Sequence, residues 1–166
     1  MKPRELRFEP NGGIPNHPHL PVLFYRGALE DAAAETWEDR FRDNGWGGAW
    51  RWSVFDYHHF HPDAHEALGV ASGSADLRLG GPEGKTVHVE AGDLVVLPAG
   101  TGHKKETASA DFQVVGAYPP GQEKYSVVRA SPGREEEHLA GIADVPPPES
   151  DPAFGANGPL SQAWRG

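Results

Sequence analysis

Three histidines and one glutamate lie in two short segments of the chain and together form a set of metal-ligand types. His59 and His61 are separated by one residue, Glu66 follows, and His103 comes after a turn rich in glycine and proline. Imidazole nitrogens and a carboxylate oxygen suit Fe(II), Mn(II), Co(II), Ni(II) or Zn(II), and such a set leaves coordination positions open. The chain has no cysteine, which excludes disulfides, thiolate sites and thiol nucleophiles. The set therefore predicts one divalent transition metal held by nitrogen and oxygen.

Strand geometry predicts that these four side chains converge. Side chains alternate across a strand, so His59 and His61 share one face. A turn at residues 62–63 then allows Glu66, at the start of the next strand, to return beside them. His103 enters from a separate turn. We therefore expect the four groups to meet inside a barrel as metal ligands.

Other polar residues near these segments are weaker candidates. Tyr57 is in phase with His59 on the same strand, so its hydroxyl is a candidate catalytic group, although a buried tyrosine bonded to backbone is the alternative. In a regular strand His65 points away from the cluster, and it is kept as a supporting or substitute ligand. His17 and His19 mimic a ligand pair, but the proline between them favours an extended edge conformation instead.

The centre of the chain alternates short apolar runs with turn residues, which predicts an all-β sandwich or jelly-roll barrel. The turns are marked by glycine, proline, serine and aspartate at intervals of roughly 8 to 12 residues. Trp50 and Trp52 either line the mouth of a pocket or seal a helix onto the barrel. Eight strands are predicted, at residues 50–61, 66–71, 75–79, 86–89, 94–97, 103–107, 112–118 and 125–129.

One helix and two flanking segments complete the predicted organisation of a single domain over residues 1–166. Ala33, Trp37 and Phe41 recur every four residues and predict an amphipathic helix over about residues 30–44. We expect an N-terminal strand and helix at residues 22–49, a barrel at residues 50–130, and a proline-rich surface strap at residues 138–166. Phe154, Leu160 and Trp164 could each dock this strap singly.

Charge and hydropathy limit the partners of the chain. The net charge of −9 argues against a nucleic-acid partner, since phosphate recognition needs clustered lysine and arginine. The chain lacks a signal-peptide pattern and a run of the roughly 18 apolar residues that a membrane span needs, so we expect a cytoplasmic protein without a membrane partner. Open sheet edges favour pairing, and we expect a homodimer in which the segment around residues 22–25 covers a partner's edge.

The two histidine segments resemble the two sequence motifs of the cupin superfamily. The first motif is matched by His59-x-His61, four residues, Glu66, six residues and Gly73, and the second by Gly92, five residues, Pro98, Gly100 and His103. The second motif normally ends in asparagine where this chain has Thr107, which affects a supporting position and not a ligand. Residues 57–61, 65–69, 98–103 and 114–119 resemble more narrowly the YjlB-like subgroup of bacterial cupins, over most of the chain.

The resemblance implies an RmlC-like double-stranded β-helix that binds a metal through His59, His61, Glu66 and His103. It implies no particular reaction, because cupins include dioxygenases, isomerases, decarboxylases, storage proteins and sensors. The first functional hypothesis is a metal-dependent cupin acting on a small molecule by oxygenase or isomerase chemistry. The second is a non-catalytic binding or sensing protein with a structural metal or none. The third is a metal-free isomerase in which His59 or His61 is the base and Tyr57 the acid.

Overall fold

Alternating apolar and polar residues build two antiparallel sheets that face each other, as the all-β prediction requires. The computed structural model describes residues 1–165. The six-stranded sheet has the order β1-β2-β8-β5-β10-β3 and the five-stranded sheet the order β11-β4-β9-β6-β7. The elements in chain order are β1 Arg4–Leu6, β2 Val22–Tyr25, α1 Ala34–Asp43, β3 Gly47–Trp52, β4 His59–Phe60, β5 Glu66–Ser72, β6 Ser74–Leu79, β7 Lys85–Glu90, β8 Leu94–Leu97, β9 His103–Ala108, β10 Gln113–Tyr118, β11 Val128–Arg129, α2 Leu139–Asp144 and α3 Pro159–Ala163.

The six-stranded sheet separates two apolar clusters, one on each face. Strand β5 shows the division: Leu68 and Val70 point between the sheets, whereas Ala67 belongs to the outer cluster. Helix α1 covers that outer face, and the Trp37 indole donates a hydrogen bond to the Val70 carbonyl at 3.0 Å. A Cβ atom on Gly69 would lie 2.4 Å from the Trp37 ring, so only glycine admits the indole there. The Trp37 indole is thus one close contact between the helix and the barrel.

Helix α1 confirms the predicted amphipathic helix but begins four residues later, at Ala34. Its buried residues include Trp37 and Phe41, the predicted apolar stripe. The chain leaves the helix through Gly45 with φ of +82°, a left-handed conformation that glycine adopts without steric cost. The predicted end at residues 44–45 is therefore confirmed.

The predicted strand over residues 50–61 is wrong as a single element. Strand β3 ends at Trp52 and belongs to the six-stranded sheet, while β4 lies in the other sheet. Residues 53–58 cross between the sheets, and the Phe55 carbonyl there accepts a hydrogen bond from the Lys105 backbone at 2.9 Å. The predicted strand at residues 125–129 shortens in the same way to Val128–Arg129.

The N-terminal segment is more ordered than an extended surface arm. Strand β1 pairs with β2, which places β2 inside the sheet and leaves β1 at its edge. The expectation that residues 22–25 cover a partner's edge therefore does not fit the topology. Ile14 and Asn16 are buried, and the Asn16 amide oxygen accepts a hydrogen bond from the Gly102 backbone at 3.1 Å. This contact supports the turn that leads into His103.

The C-terminal tail adds two short helices and docks deeply on the outer cluster. Leu160 and Trp164 are buried, while Phe154 stays 37% exposed. The carboxylate of Asp151 accepts hydrogen bonds from the Tyr25 hydroxyl and from three backbone amides, those of Ala153, Phe154 and Leu160. Within residues 1–165 no helix has the length and apolar character that crossing a bilayer requires.

Candidate metal centre

The three histidines predicted as ligands converge between the two sheets. One ring nitrogen from each of His59, His61 and His103 lies within 4.8 Å of the others. Strand pairing explains the approach, because His59 in β4 sits directly opposite His103 in β9. All three side chains are at most 6% exposed. Segments far apart in sequence thus present three imidazoles at one point.

Backbone carbonyls fix the orientation and tautomer of every ring. Nδ1 of His59 contacts the Tyr57 carbonyl at 3.0 Å, and Nδ1 of His103 contacts the Thr101 carbonyl at 3.0 Å. Nδ1 of His61 contacts the Ser126 carbonyl at 2.8 Å. A carbonyl only accepts, so each Nδ1 carries the proton and donates it. Each Nε2 is left with a free lone pair, the state in which imidazole binds a metal.

Two contacts hold His61 in place although it lies outside any strand. The carboxylate of Asp63 accepts hydrogen bonds from the backbone N–H and the hydroxyl of Ser126, which positions the Ser126 carbonyl for His61. The His61 carbonyl in turn accepts the Gly100 N–H at 2.8 Å. The turn at residues 62–63 and the turn before His103 are therefore coupled through His61.

Glu66 completes the cluster from the first position of β5. Its Oε2 lies 3.3 Å from Nε2 of His61, and its Oε1 lies 3.3 Å from Nε2 of His103. The Tyr118 hydroxyl donates to Oε2 at 2.6 Å and accepts the Trp50 indole N–H at 2.7 Å. Oε1 is buried without a hydrogen-bond donor. A buried carboxylate oxygen facing an imidazole lone pair requires either a proton or a cation between them.

The electrostatics of the cluster agree with that requirement. Burial, reinforced by His103, lowers the pKa of His59 to about 3, so this ring is neutral at ordinary pH. Burial also opposes charge on His61, but the Glu66 carboxylate outweighs it and raises the pKa of His61. Burial disfavours ionised Glu66, yet His61 and His103 hold the pKa of its carboxyl well below the usual range. A proton and a metal ion therefore compete for the same lone pairs.

A cavity of about 220 Å³ opens onto this cluster. Aromatic and aliphatic side chains form most of its lining beyond His59, His61, Glu66 and His103. Trp52 and Val127 are the most exposed of them, at 54% and 44%. The remaining lining residues are Trp50, Ser53, Val54, Phe55, Leu68 and Tyr125. The four polar groups are therefore the polar end of an otherwise largely apolar cavity.

Several other sequence candidates lie away from the cavity. Tyr57 does not line it, since its ring stacks on Phe55 and lies under the Arg129 guanidinium. His65 is buried on the outer side of β5 against Trp164, and its Nδ1 accepts the Ala99 N–H at 2.8 Å. His65 and Glu66 point to opposite faces of the sheet, as alternation predicts, so His65 lies away from the cluster.

His17, in the histidine pair near the N-terminus, stabilises a local turn. Nδ1 of His17 accepts the backbone N–H groups of His19 and Leu20, at 3.0 and 2.9 Å, and so closes a local turn. Burial, reinforced by His19, lowers the pKa of His17 to about 4. The pair is therefore engaged in backbone structure, as the intervening proline suggests.

Sequence reasoning missed Tyr118 and Tyr125. Tyr118 alternates in phase with the inward Val114 of β10, which was a usable signal. Tyr125 stacks on Tyr118, with centroids 4.2 Å apart, and its ring lies 4.7 Å from that of His61. The predicted strand included Tyr125, but the observed strand begins at Val128, so alternation does not determine where the Tyr125 side chain lies. The two tyrosines flank the carboxylate and one imidazole of the cluster.

The four groups fit a divalent transition metal. Three Nε2 atoms are left as acceptors by their backbone contacts, and Oε1 of Glu66 is a buried acceptor without a donor. Three nitrogens and one oxygen are a donor set for iron, manganese, cobalt, nickel or zinc. The residues would hold such an ion through His59, His61, His103 and Glu66.

Fold and sequence comparisons define the class of protein. Two antiparallel sheets enclosing this cluster form the double-stranded β-helix of the RmlC-like type, and the profile of the Cupin_2 family, described as "Cupin domain", matches residues 53–115. The chain is 40% identical over 157 residues to "Uncharacterized protein YjlB" of Bacillus subtilis (strain 168), a match that covers 95% of this chain and 93% of that protein. The chain therefore belongs to the cupin superfamily and, within it, to the YjlB-like group.

Solved structures provide more distant matches. Acireductone dioxygenase from Bacillus anthracis, with a cadmium ion in its active center, is 18% identical at a TM-score of 0.39, over 66% of this chain and 78% of that one. A conserved protein with a double-stranded β-helix domain from Klebsiella pneumoniae is 17% identical at a TM-score of 0.39, over 77% and 85% of the two chains. Similarity at this level carries no information on activity.

Proposed function

We propose that the chain is a metal-dependent cupin that binds a small molecule at a metal held by His59, His61, Glu66 and His103. One observation carries the proposal. The three imidazoles donate their Nδ1 protons to backbone carbonyls, so each Nε2 keeps a lone pair. These three lone pairs lie at the end of a cavity, beside a carboxylate oxygen of Glu66 that accepts no hydrogen bond. Lone pairs arranged in this way suit a shared metal ion.

The bound metal would supply Lewis-acid or redox chemistry to an oxygen-donor molecule, as in oxygenases and isomerases. The surrounding residues have separable tasks. Tyr118 holds Oε2 of Glu66 and thereby leaves Oε1 for the metal. Trp50, Phe55 and Tyr125 line the cavity and limit water around a bound molecule. The Nδ1 hydrogen bonds align the three rings and leave each Nε2 available to the metal.

A non-catalytic binding or sensing role is the second candidate, and one observation favours it. Among the described residues that line the cavity, the ionisable side chains other than the four cluster members are limited to Tyr125. A site with a single tyrosine as its additional acid or base suits ligand binding. The metal-free isomerase is less well supported, because the acid proposed for it, Tyr57, does not line the cavity.

Elemental analysis of tag-free protein, dialysed without strong chelator, tests the proposal. Wild-type protein is expected to retain close to one metal ion per chain, and a His61→Ala, Glu66→Ala double variant is expected to lose it. His88→Ala is the matched control, because His88 is 55% exposed and pairs with Asp76 away from the cluster. Circular dichroism establishes that each variant is folded.

The identity of the metal then directs the assays. Retained iron or manganese calls for measurements of oxygen consumption, and zinc or nickel for isomerisation assays. The proposal is refuted if folded wild-type protein takes up no metal after reconstitution with Fe(II), Mn(II) and Zn(II). Equal metal content in the double variant would refute the assignment of these ligands.

A further inference from the structure

We infer that the molecule bound here has a small, flat apolar body, reaches the metal through oxygen, and carries no more than one negative charge. The inference rests on the proposed metal site and deepens it by naming the class of ligand. It is drawn from the lining and charge of the 220 Å³ cavity.

The lining favours an apolar body. Trp50, Trp52 and Phe55 present aromatic surface, and Val54 and Val127 present aliphatic surface. The indole N–H of Trp50 is already donated to the Tyr118 hydroxyl, so it offers no hydrogen bond to a ligand. At about 220 Å³ the cavity is smaller than the roughly 300 to 1,000 Å³ typical of sites for drug-sized ligands. A single ring with its substituents is the size that fits.

The side chains at the opening of the cavity are apolar as well. Trp52 and Val127 are large apolar side chains left 54% and 44% exposed beside the opening, and Trp52 packs edge-on against Phe55. Exposed apolar groups beside a pocket commonly mark a surface that a ligand covers. A polyhydroxylated ligand would find few hydrogen-bond partners among these lining side chains beyond Ser53, Tyr125 and the cluster itself.

The charge of the site sets an upper limit on the charge of the ligand. Three neutral imidazoles, one carboxylate and a divalent ion leave one net positive charge, which a single negative oxygen donor neutralises. Among described residues, no lysine or arginine side chain lines the cavity to balance a second negative charge. Lys105 is engaged from outside the lining, donating to the Ser53 hydroxyl at 3.0 Å.

Ser53 supplies a polar group to the otherwise largely apolar lining. Its oxygen accepts from the Lys105 ammonium, so its own proton is free for a carbonyl or ether oxygen of a ligand. An ionised group buried against Trp50 and Phe55 would lack such a partner and would pay its desolvation cost. The walls therefore select an aromatic-sized body over a dianion or a sugar.

Two hydroxamates that share one chelating group test the inference. Acetohydroxamate and benzohydroxamate bind a metal through the same two oxygens and differ only in methyl against phenyl. Each is titrated calorimetrically into wild-type protein loaded with whichever of Fe(II), Mn(II) or Zn(II) it retains, with oxalate as a dianion lacking an apolar body. Metal content is measured again after each titration, to exclude extraction of the ion.

Benzohydroxamate is expected to bind roughly 10- to 100-fold more tightly than acetohydroxamate, because its phenyl group buries the additional apolar area. Oxalate is expected to bind more weakly than benzohydroxamate. Trp52→Ala should lower the preference for phenyl over methyl by roughly 3- to 10-fold. Phe154→Ala is the matched control, an aromatic 37% exposed that does not line the cavity.

The outcomes separate this inference from the proposed function. If acetohydroxamate binds but benzohydroxamate binds no more tightly, or if oxalate binds best, the metal site stands and the apolar ligand class is overturned. An unchanged preference in Trp52→Ala would also count against the apolar rim. If neither hydroxamate binds to metal-loaded protein, the metal has no open position, and the proposed function falls together with the inference.

Discussion

Replacing Tyr118 by phenylalanine removes the hydroxyl that holds the proposed carboxylate ligand. That hydroxyl donates to Oε2 of Glu66 at 2.6 Å and accepts the Trp50 indole N–H at 2.7 Å. Burial, reinforced by Glu66, raises the pKa of Tyr118, so the hydroxyl stays protonated and remains a donor. Without it, Oε2 keeps only its 3.3 Å contact with Nε2 of His61, and the carboxylate can turn away from the orientation in which Oε1 faces the metal.

The structure sets the size of the effect on metal affinity. The hydrogen bond between Tyr118 and Glu66 is present in both the metal-free and the metal-bound protein. The metal affinity therefore changes only by the difference between its contributions to the two states. Loss of a residue that orients a ligand typically lowers metal affinity 10- to 100-fold, and we expect the lower end, about 10-fold or 1.4 kcal/mol. The metal-free protein should lose about 2 to 4 kcal/mol of folding free energy, because the Trp50 N–H and Oε2 of Glu66 both lose a buried partner.

Competition with a chromophoric chelator at fixed pH measures the metal affinity, and chemical denaturation of the metal-free protein measures stability. Tyr57→Phe is the matched control, since the Tyr57 ring packs between Phe55 and Arg129 outside the cavity lining. We expect less than about a twofold change in affinity for this control, within the scatter of surface substitutions. Unchanged affinity in Tyr118→Phe, or an equal loss in both variants, would refute the positioning role.

Three further predictions concern the fold. Asp151→Ala should destabilise the chain by about 3 kcal/mol or more in urea denaturation, because Tyr25 and three buried backbone amides lose their acceptor; a loss below 1 kcal/mol would contradict this. Gly69→Ala should cost about 1 to 3 kcal/mol by forcing its Cβ against the Trp37 ring, whereas Gly141→Ala in α2 meets no atom and should be neutral or stabilising. We also expect a homodimer paired through an open sheet edge, and sedimentation as a monomer at micromolar concentration would disprove it.

The grouping of His59, His61 and Glu66 could be predicted from the sequence because it depends on local rules. Alternation places His59 and His61 on one side of the chain and Glu66 opposite to His65, and in the structure Glu66 faces the histidines whereas His65, just before β5, packs against Trp164. Helix α1 was predictable for the same reason, since an apolar stripe with a four-residue interval needs no distant information. Each inference used residues within a few positions of one another.

The crossing of residues 53–58 from one sheet to the other could not be predicted from the sequence. This crossing determines which side chains reach the cavity. Trp50 and Trp52 line the cavity from even positions, whereas His59 and His61 reach it from odd positions. A single regular strand cannot do both, so the phase must change between Trp52 and His59. Partners outside the segment, such as the Lys105 amide bound to the Phe55 carbonyl, fix where it changes. For that reason Tyr57 was in phase with His59 in the sequence and yet lies outside the cavity.

The protonation pattern of the cluster was also beyond the sequence, although all four members of the cluster could be named from it. The carbonyls that hold the three Nδ1 protons belong to Tyr57, Thr101 and Ser126, and any amino acid would offer the same group. What selects Nε2 for the metal is therefore the path of three irregular segments rather than the identity of their side chains. Strand pairing brings His59 opposite His103, while Asp63 fixes Ser126 and so orients His61. A chain could keep all four ligand residues and lose the site, if these loops took another course.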